Sequence, residues 1–379
     1  MDLAAPTVES HHGSHRNLLA RVGVEVAEAP PCRVDAIIVP TNRPSYHLRA
    51  VVETATRLAV PLLVLSSGAA SSGDSANIAL TSDVEMLAID VRGLPASLMP
   101  RSATADLLRS TEFVRQTDTS SKRNLGLLVS RVVGWERVAF LDDDITVPNS
   151  TDLDAAAGLV SLGYAAVGLD VGGFPDNSVV CHAHRETGGD QGTFIGGGAL
   201  VIGRESMTSY FPTIYNEDWF FLLDDAGLRR SAVTGRVLQK RYDPFADEKR
   251  AQMEEFGDCL AEGVFALLDD NGGFEAAADE SYWDGFLRGR MALIDGILDR
   301  IRSREPRDDQ ALPMEMALRA ARKRCQAIEP SLCVRYLDAL ARDRRTWAAH
   351  VEAFPSGAVG LEDSVAALGL VGHAGYVRR

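Results

Sequence analysis

The sequence predicts an α/β fold, with a mostly parallel sheet covered by helices on both faces. Short apolar runs bounded by turn residues recur in the first half of the chain, at 35–40, 61–66, 85–90 and 137–141. Apolar residues at helical spacing lie between some of these runs, at 45–59 and 121–133. Strands that alternate with helices form parallel sheets, because each helix returns the chain across one face of the sheet.

Each predicted element has a local reason. The first strand, 35–40, is an apolar run rich in β-branched residues that ends at Pro40, which is typical of a buried strand. The helix 121–133 repeats leucine and valine every three or four residues, with Ser120 or Ser121 as its predicted N-cap. The fourth strand, 137–141, ends at three consecutive aspartates.

Polar residues follow the predicted strands at their carboxyl ends. In chain order they are Thr41, Asn42 and Arg43, then Ser66, Ser67 and Gly68, then Asp90, and finally Asp142, Asp143 and Asp144. The carboxyl ends of parallel strands meet at one edge of the sheet, where open α/β sheets bind their ligands. The sequence therefore predicts a binding site at this edge.

The length of 379 residues suits two domains, or one large domain with an appendage, at roughly 150 residues per domain. We predict a flexible N-terminal tail over 1–32, an α/β domain over 33–247 and a helical C-terminal region over 248–379. The last is indicated by long helical patterns at 248–269, 281–303 and 332–352. Segment 163–222 is rich in glycine and aromatic residues and has no regular pattern.

Composition argues against several classes of protein. The 39 basic and 53 acidic residues give a net charge of −14, which disfavours binding to nucleic acid or to an anionic membrane. Five widely spaced cysteines without a Cys-x-x-Cys pair indicate neither a disulfide framework nor a zinc cluster. No apolar run approaches the roughly 20 residues that span a bilayer, and the N-terminus does not resemble a signal peptide. We expect a soluble, cytoplasmic protein.

The three aspartates after the fourth strand are the strongest chemical signal. Crowded carboxylates raise one another's pKa unless a cation is present. Mg²⁺ and Mn²⁺ prefer a few carboxylates together with phosphate oxygens. The cluster therefore predicts a divalent metal site, and the alternative is an acidic turn that is merely solvated.

A second cluster, Asn216-Glu217-Asp218-Trp219, combines acidic and aromatic side chains. One carboxylate could act as a general base on a hydroxyl, and the Trp219 or Phe220 ring could stack on a sugar. The alternative is a helix N-terminus, where the helix dipole favours acidic residues.

Two further clusters are less specific. Lys122 and Arg123, followed by Asn124, could contact phosphate oxygens or form a solvated basic turn. The segment 239–245 could close over a diphosphate or form an ordinary loop. His182 and His184 would face the same side of a strand, where they could supply a metal ligand, although we expect both rings to face solvent.

Four of these elements together resemble the GT-A fold glycosyltransferases that use nucleotide sugars, especially the family-2-like members. The segment 39–44 resembles their first-strand turn, and 122–127 resembles their Arg-Asn-x-Gly element. Residues 142–144 resemble their Asp-x-Asp metal motif, and 217–218 their acidic dyad near the acceptor. The resemblance covers roughly 33–247 and does not extend to the helical region.

The resemblance implies a Rossmann-like GT-A domain followed by the C-terminal helical region. It implies a metal-dependent hexosyltransferase that moves a sugar from a nucleoside-diphosphate sugar to an acceptor hydroxyl, with Mn²⁺ or Mg²⁺ as cofactor. The breadth of the family alone favours a UDP-sugar donor. The acceptor would be a small molecule or a glycan, and an apolar face on a late helix would be compatible with a homodimer.

The resemblance also implies a role for each matching residue. Asp142 and Asp144 would hold the metal, Asp218 would be the general base of an inverting enzyme, and Glu217 would orient it. The donor would contact Thr41, Asn42, Arg43, Asp90, Lys122, Arg123, Asn124, Asp143, Gly197, Gly198 and Trp219. The later histidine ligand of the family has no match here, and Lys240, Tyr242 and Asp243 stand in its place.

Two alternatives compete with this interpretation. The segment 141–146 also fits the Asp-x-Asp-x-Thr motif of haloacid-dehalogenase-like phosphatases, with Asp142 as nucleophile and with Asp224 and Asp225 as later Mg²⁺ ligands. That motif lies on the first strand of its domain, whereas at least three strands are predicted ahead of it here. The other alternative is a nucleotide-binding GT-A-like protein without turnover, which the retained acidic groups disfavour.

Overall fold

The computed structural model describes residues 15, 18–20, 22, 29–30, 32–174, 177–190, 192, 194–303, 309–357 and 359–378. Most of the segment predicted to be a tail, 1–32, lies outside these residues. Within it, His15 is buried, and Leu18 and Leu19 pack against the main apolar core.

The described residues contain eleven strands. In chain order they are β1 (Ala36–Thr41), β2 (Leu62–Ser66), β3 (Met86–Asp90), β4 (Arg137–Leu141), β5 (Ile145–Thr146), β6 (Ala166–Gly172), β7 (Ala199–Gly203), β8 (Leu223–Asp224), β9 (Gly227–Leu228), β10 (Ser231–Gln239) and β11 (Ala374–Val377). Nine of them form one sheet in the order β11-β3-β2-β1-β4-β7-β6-β10-β5, and β8 pairs with β9.

The large sheet is mostly parallel. β1 pairs in parallel with β2 and β4, β2 with β3, and β6 with β10. β7 is antiparallel to both of its neighbours, β4 and β6, and the edge strands β5 and β11 are also antiparallel. The predicted fold class is therefore confirmed as a mostly parallel α/β sheet, with helices packed on it and a helical C-terminal region.

The same residues contain twelve α-helices. They are α1 (Arg49–Leu58), α2 (Ser72–Leu80), α3 (Ala103–Leu108), α4 (Thr119–Val133), α5 (Thr151–Ser161), α6 (Val179–Glu186), α7 (Glu217–Phe221), α8 (Glu248–Asp269), α9 (Glu280–Arg302), α10 (Ala311–Gln326), α11 (Pro330–Glu352) and α12 (Leu361–Ala367). None of them is both long enough and apolar enough to cross a membrane.

Alternate residues of each central strand face opposite layers, which is why the strands are apolar throughout. In β1, Ile37 belongs to an apolar cluster that includes residues of α1 and α5. Its neighbour Ile38 belongs to a second cluster that includes residues of α4 and of the C-terminal helices. Both side chains are fully buried. A strand buried on both faces cannot alternate apolar and polar residues.

The second of these clusters joins the sheet to the helical region. It contains Phe140 of β4 together with Phe256 of α8, Tyr336 of α11 and Trp347 of α11. The predicted unit 248–379 therefore shares one core with the sheet.

Two local predictions were wrong. The helix α4 begins at Thr119 with Asp118 at its N-cap, two or three residues before the predicted caps Ser120 and Ser121. His182 and His184 lie on the helix α6 rather than on a strand. His182 is buried and stacks on Phe174, with 4.9 Å between ring centroids.

The strand register brings the predicted polar residues to one edge. Thr41 of β1 is opposite Ser66 of β2, and Ser66 is opposite Asp90 of β3. β4 runs parallel to β1, so the aspartates that follow Leu141 emerge at the same edge as Thr41.

The buried carboxylate of Asp343 joins α11 to the start of α3. Asp343 of α11 accepts hydrogen bonds from the backbone N–H of Ala103 (2.6 Å) and Thr104 (2.9 Å) at the start of α3. It also accepts from the hydroxyls of Ser102 (2.8 Å) and Thr104 (2.6 Å). Four donors therefore depend on one side chain.

We expect Asp343→Ala to lower the free energy of unfolding by about 2–4 kcal/mol, because buried donors at a helix N-terminus lose their acceptor. Urea unfolding followed by circular dichroism measures the change. Asp338→Ala, at an exposed position on the same helix, is the matched control, with an expected change of about 0.5 kcal/mol or less. Equal midpoints for the two variants would contradict the anchoring role.

Candidate active site

Two adjoining cavities open at the carboxyl edge of the sheet. The first has a volume of about 490 Å³ and is lined by Pro40, Thr41, Asn42, Arg43, Thr119, Lys122, Asp142, Asp143, Asp144, Gln239, Tyr242 and Arg250. The second has a volume of about 210 Å³, and its lining includes Arg123, Gly197, Gly198, Glu217, Asp218 and Trp219. Thr119, Asp142 and Gln239 line both cavities, so the two form one continuous site.

Arg123 lies at the centre of the second cavity. Its side chain is 4% exposed, and its guanidinium contacts two carboxylates: Nη1 lies 2.6 Å from Glu217 Oε1 and Nη2 lies 3.2 Å from Asp142 Oδ1. Burial disfavours the charged form, but the charges of Asp142, Glu217 and Asp218 outweigh it and raise the pKa of Arg123. The cation therefore links α4, the end of β4 and the start of α7.

The glycines before β7 are required by this arrangement. A Cβ at Gly197 would lie 2.5 Å from Arg123 Nη1 and 3.0 Å from the Cβ of Asp218. A Cβ at Gly198 would lie 2.9 Å from Asp142 Oδ2. The resemblance implies that these glycines leave room for the donor sugar. In the structure, the side chains of Arg123, Asp218 and Asp142 already lie where a Cβ at these positions would be.

Two arginines accompany the three aspartates, Arg123 beside Asp142 and Arg43 beside both Asp143 and Asp144. Asp143 is buried and accepts hydrogen bonds from the Thr41 hydroxyl and from Arg43. Asp144 lies 3.1 Å from Arg43 Nη2 and its side chain is 16% exposed, while that of Asp142 is 32% exposed. Asp142 and Asp144 thus line the first cavity with accessible carboxylate oxygens, the donor type that Mg²⁺ and Mn²⁺ prefer.

Lys122 is bound more tightly than the sequence suggests. Its side chain is 2% exposed, and its Nζ donates to Thr41 O (2.9 Å) and Ser67 Oγ (2.6 Å) and lies 2.7 Å from Asp118 Oδ1. Burial lowers the pKa of Lys122, although Asp118 opposes this shift. The ammonium group therefore joins the ends of β1 and β2 to α4 and places its positive charge in the wall of the first cavity.

Asp218 has the environment of a general base. Its two oxygens accept hydrogen bonds from the backbone N–H of Gly197 (2.5 Å) and of Trp219 (2.9 Å). Burial, together with the neighbouring charge of Glu217, raises the pKa of Asp218 to about 7, while Arg123 and the two N–H groups oppose the shift. A pKa near neutrality suits a group that must accept a proton and then release it.

The Glu217-Asp218 pair both begins a helix and lines a cavity. The two residues form the first turn of the short helix α7, with Asn216 at the N-cap, and they line the second cavity. Trp219 contributes to the cavity wall, but it is only 3% exposed. Its ring packs edge-on against His15, with 4.2 Å between centroids. Most of the ring therefore lies in the core, and little of it is open for stacking on a sugar.

Two predicted binding residues are not brought to either cavity. Asp90 hydrogen-bonds to Arg92 Nε at 2.9 Å near the surface. Asn124 is buried, and its amide pairs with the backbone of Phe211, donating to O at 2.8 Å and accepting from N at 3.0 Å. The structure therefore gives Asn124 a structural role.

Some lining residues were missed in the sequence. Arg115 and Asn177 line the second cavity, Arg250 of α8 lines the first, and Thr119 lines both. Each lies in a loop or at a helix start with no surrounding motif, so no sequence signal marks them. Arg250 also shows that the helical region, which the resemblance does not cover, contributes to the site.

The loop after β10 lies beside the first cavity. Gln239 and Tyr242 line it, and the Lys240 N–H donates to Asp144 O at 3.1 Å. The Tyr242 hydroxyl lies 3.0 Å from His182 Nε2 and accepts from Arg250 Nη2 at 2.9 Å. The segment 239–245 therefore lies beside the first cavity, and its closure over a diphosphate stays a prediction.

The residues required by the phosphatase alternative are not brought together. Asp224 and Asp225 line a separate cavity of about 180 Å³, next to Phe274 and Arg344, which does not include Asp142. Three parallel strands also precede the aspartate cluster along the chain.

No family model matches the sequence, and no curated protein matches it. Among solved structures, residues 1–349 of TarS from S. aureus in complex with UDP-GlcNAc are 11% identical, with a TM-score of 0.37. The structure of TarS 1–349 alone is 12% identical, with a TM-score of 0.36. Each alignment covers 77% of this chain and 90% of the other. Similarity at this level does not establish a shared function.

The raised pKa of Asp218 predicts a pH-dependent stability. The folded chain holds this proton to about pH 7, whereas the ordinary aspartate pKa is 3.8. Between these values the folded state binds the extra proton, so stability falls as the pH rises. We expect Asp218→Asn to remove a decline on the order of 2 kcal/mol between pH 5 and pH 7.

Urea unfolding at pH 5, 6 and 7 measures this difference. The control is Asp284→Asn on the exposed face of α9, where the variant should keep the slope of the unmodified protein. Parallel stability curves for Asp218→Asn and the unmodified protein would show that Asp218 titrates normally.

Proposed function

We propose that this protein is a metal-dependent glycosyltransferase of the GT-A type, which moves a sugar from a nucleoside-diphosphate sugar to an acceptor hydroxyl. The observation that carries the proposal is the position of Asp142, which lines both a charged cavity and a second cavity containing a buried carboxyl group. A donor whose diphosphate lies in the first cavity would present its sugar to the second.

The first cavity suits a nucleoside diphosphate. Its volume falls in the range of roughly 300–1,000 Å³ that is typical of small-molecule sites. Arg43, Lys122 and Arg250 lie in its wall together with the aspartates. Mixed charge of this kind suits a ligand that carries anionic oxygens and an accompanying cation.

Asp142 and Asp144 would hold Mg²⁺ or Mn²⁺. A bound divalent ion neutralises the negative charge that develops on a departing diphosphate. Arg43 contacts Asp143 and Asp144 in the structure, and by keeping these contacts it would hold the Asp143 carboxylate away from the ion. The cation of Arg123 would keep Glu217 and Asp142 in place as the charge moves.

Asp218 would accept the proton of the acceptor hydroxyl. The acceptor oxygen forms a bond to the anomeric carbon as the bond from that carbon to the phosphate oxygen breaks. The electron pair leaves with the nucleoside diphosphate, and the hydroxyl proton moves to the Asp218 carboxylate. A base on the acceptor side is the arrangement that gives inversion of configuration. Gly197 and Trp219 would fix the orientation of the carboxylate through their N–H groups.

Metal-dependent nucleotide binding tests the proposal. Melting temperatures would be measured with UDP, GDP, TDP, ADP and CMP, each with and without Mn²⁺, on the unmodified protein and on Asp142→Asn/Asp144→Asn. We expect one of the nucleoside diphosphates to raise the melting temperature by several degrees, and to do so only when Mn²⁺ is present. A ligand that binds the folded state stabilises it. The double variant should lose this shift.

Asp152→Asn/Asp154→Asn on α5 is the matched control, because it removes two aspartates outside both cavities. A control that loses the shift equally, or a protein that no nucleotide stabilises, would refute the donor site. A phosphomonoester screen would then test the phosphatase alternative directly.

Turnover separates an enzyme from a nucleotide-binding protein. We expect Asp218→Asn to lower nucleoside-diphosphate release by about 10²–10⁴-fold, which is the usual contribution of a general base. For the unmodified protein, the rate should rise with pH and level off above about 7, as Asp218 loses its proton. Release of UDP from a panel of UDP-sugars measures both, and an unchanged rate in Asp218→Asn would exclude its role as base.

A further inference from the structure

Two side chains in the wall of the second cavity each have a buried hydrogen-bond donor without an acceptor in the described part of the chain. Arg115 Nη1 and Asn177 Nδ2 are both inaccessible to solvent, and neither has a hydrogen-bond partner among the described residues. Both residues line this cavity. A buried donor without an acceptor costs about 1–3 kcal/mol, so the arrangement suggests that a ligand supplies the acceptors.

Arg115 has an ordered position but no carboxylate of the described chain within hydrogen-bond distance. Its nearest carboxylate oxygen in the described chain is Glu217 Oε2 at 3.9 Å, beyond hydrogen-bond distance. The other oxygen of Glu217 is already bound to Arg123 Nη1 at 2.6 Å. The Arg115 guanidinium lies over the ring of Tyr215, 5.2 Å from its centroid, which limits its orientation.

The oxygen of the Asn177 side-chain amide already accepts a hydrogen bond. Its Oδ1 accepts the N–H of Ser178 at 2.8 Å, so the NH₂ group is the end that remains for a ligand. The residue is 6% exposed. A polar side chain buried to this extent is usually satisfied by protein or water.

The charges in the cavity indicate what the ligand carries. Arg123 is matched by Glu217 and Asp142 in the structure. Glu217 is also the carboxylate nearest to Arg115, at 3.9 Å, so this one carboxylate lies between two guanidinium groups. A guanidinium group binds carboxylate and phosphate oxygens in preference to neutral ones, and an anionic ligand would give Arg115 the close partner that Glu217 does not provide.

We propose that the second cavity is an acceptor subsite for a small hydroxyl compound that bears an anionic group, carboxylate or phosphate. Arg115 is the charge partner of that anion and Asn177 donates a second hydrogen bond. The anion then fixes the acceptor so that its hydroxyl faces Asp218. The reaction in which this acceptor takes part rests on the proposed function. Binding of the anion to the subsite is tested separately from that reaction.

Isothermal titration of the full chain with three matched probes tests the subsite. Glycerol, glycerate and glycerol 3-phosphate share a carbon skeleton and differ in charge. We expect at least one anionic probe to bind ten times more tightly than glycerol, and the choice between the two identifies carboxylate or phosphate. Arg115→Gln should weaken that binding at least tenfold, and Arg115→Lys should keep part of it.

Two further variants complete the test. Arg302→Gln removes an arginine from the last turn of α9, where it pairs with Asp299 at 3.1 Å, and it should bind like the unmodified protein. Asn177→Asp replaces the donor with a negative group and should abolish binding of the anionic probe. It provides an independent test if Arg115→Gln fails to fold.

The outcomes separate this inference from the proposed function. Equal binding of glycerol and both anions, or anion binding that survives Arg115→Gln and Asn177→Asp, overturns the subsite even when nucleotide and Mn²⁺ bind as expected. Selective anion binding that both variants remove supports the subsite. If that result came with no nucleotide shift, the glycosyltransferase proposal would fail while the anion site would stand.

Discussion

The buried guanidinium of Arg123 is the interaction on which the rest of the site depends. It bridges Asp142 at the end of β4 and Glu217 at the start of α7, which are far apart in the chain. Removing one member of such a buried pair leaves the others without compensation, at a cost of about 3–5 kcal/mol. The bridge also accounts for Gly197, whose missing side chain leaves room for the guanidinium, and for part of the field acting on Asp218.

A second constraint is the separation of like charges. Three consecutive aspartates would repel one another if their carboxylates converged. In the structure, Asp142 pairs with Arg123 on one side, while Asp143 and Asp144 both contact Arg43 on the other. The cluster therefore carries its own counter-charges. This is why an acidic motif can persist in a partly buried site.

The helical region is part of the same structure as the sheet. Its aromatic residues share the core with β4, and Asp343 holds the start of α3. It contributes Arg250 to the first cavity, and Phe265 of α8 packs against Trp219 in the second, with 5.0 Å between centroids. A site at a sheet edge needs walls, and in this protein the helices after residue 247 supply some of them.

The sequence by itself determined the strands β1 to β4, the helices α8, α9 and α11 to within two or three residues, and the common edge at which the aspartates emerge. These follow from local periodicity and from the geometry of parallel strands. Tertiary structure alone decided that Asn124 supports Phe211, that Lys122 joins the ends of β1 and β2 to α4, and that Arg115 and Asn177 line a cavity. Such roles depend on which distant groups occupy the space around a side chain. Neighbours along the chain determine periodicity, but burial and charge pairing are set by residues that meet only after folding.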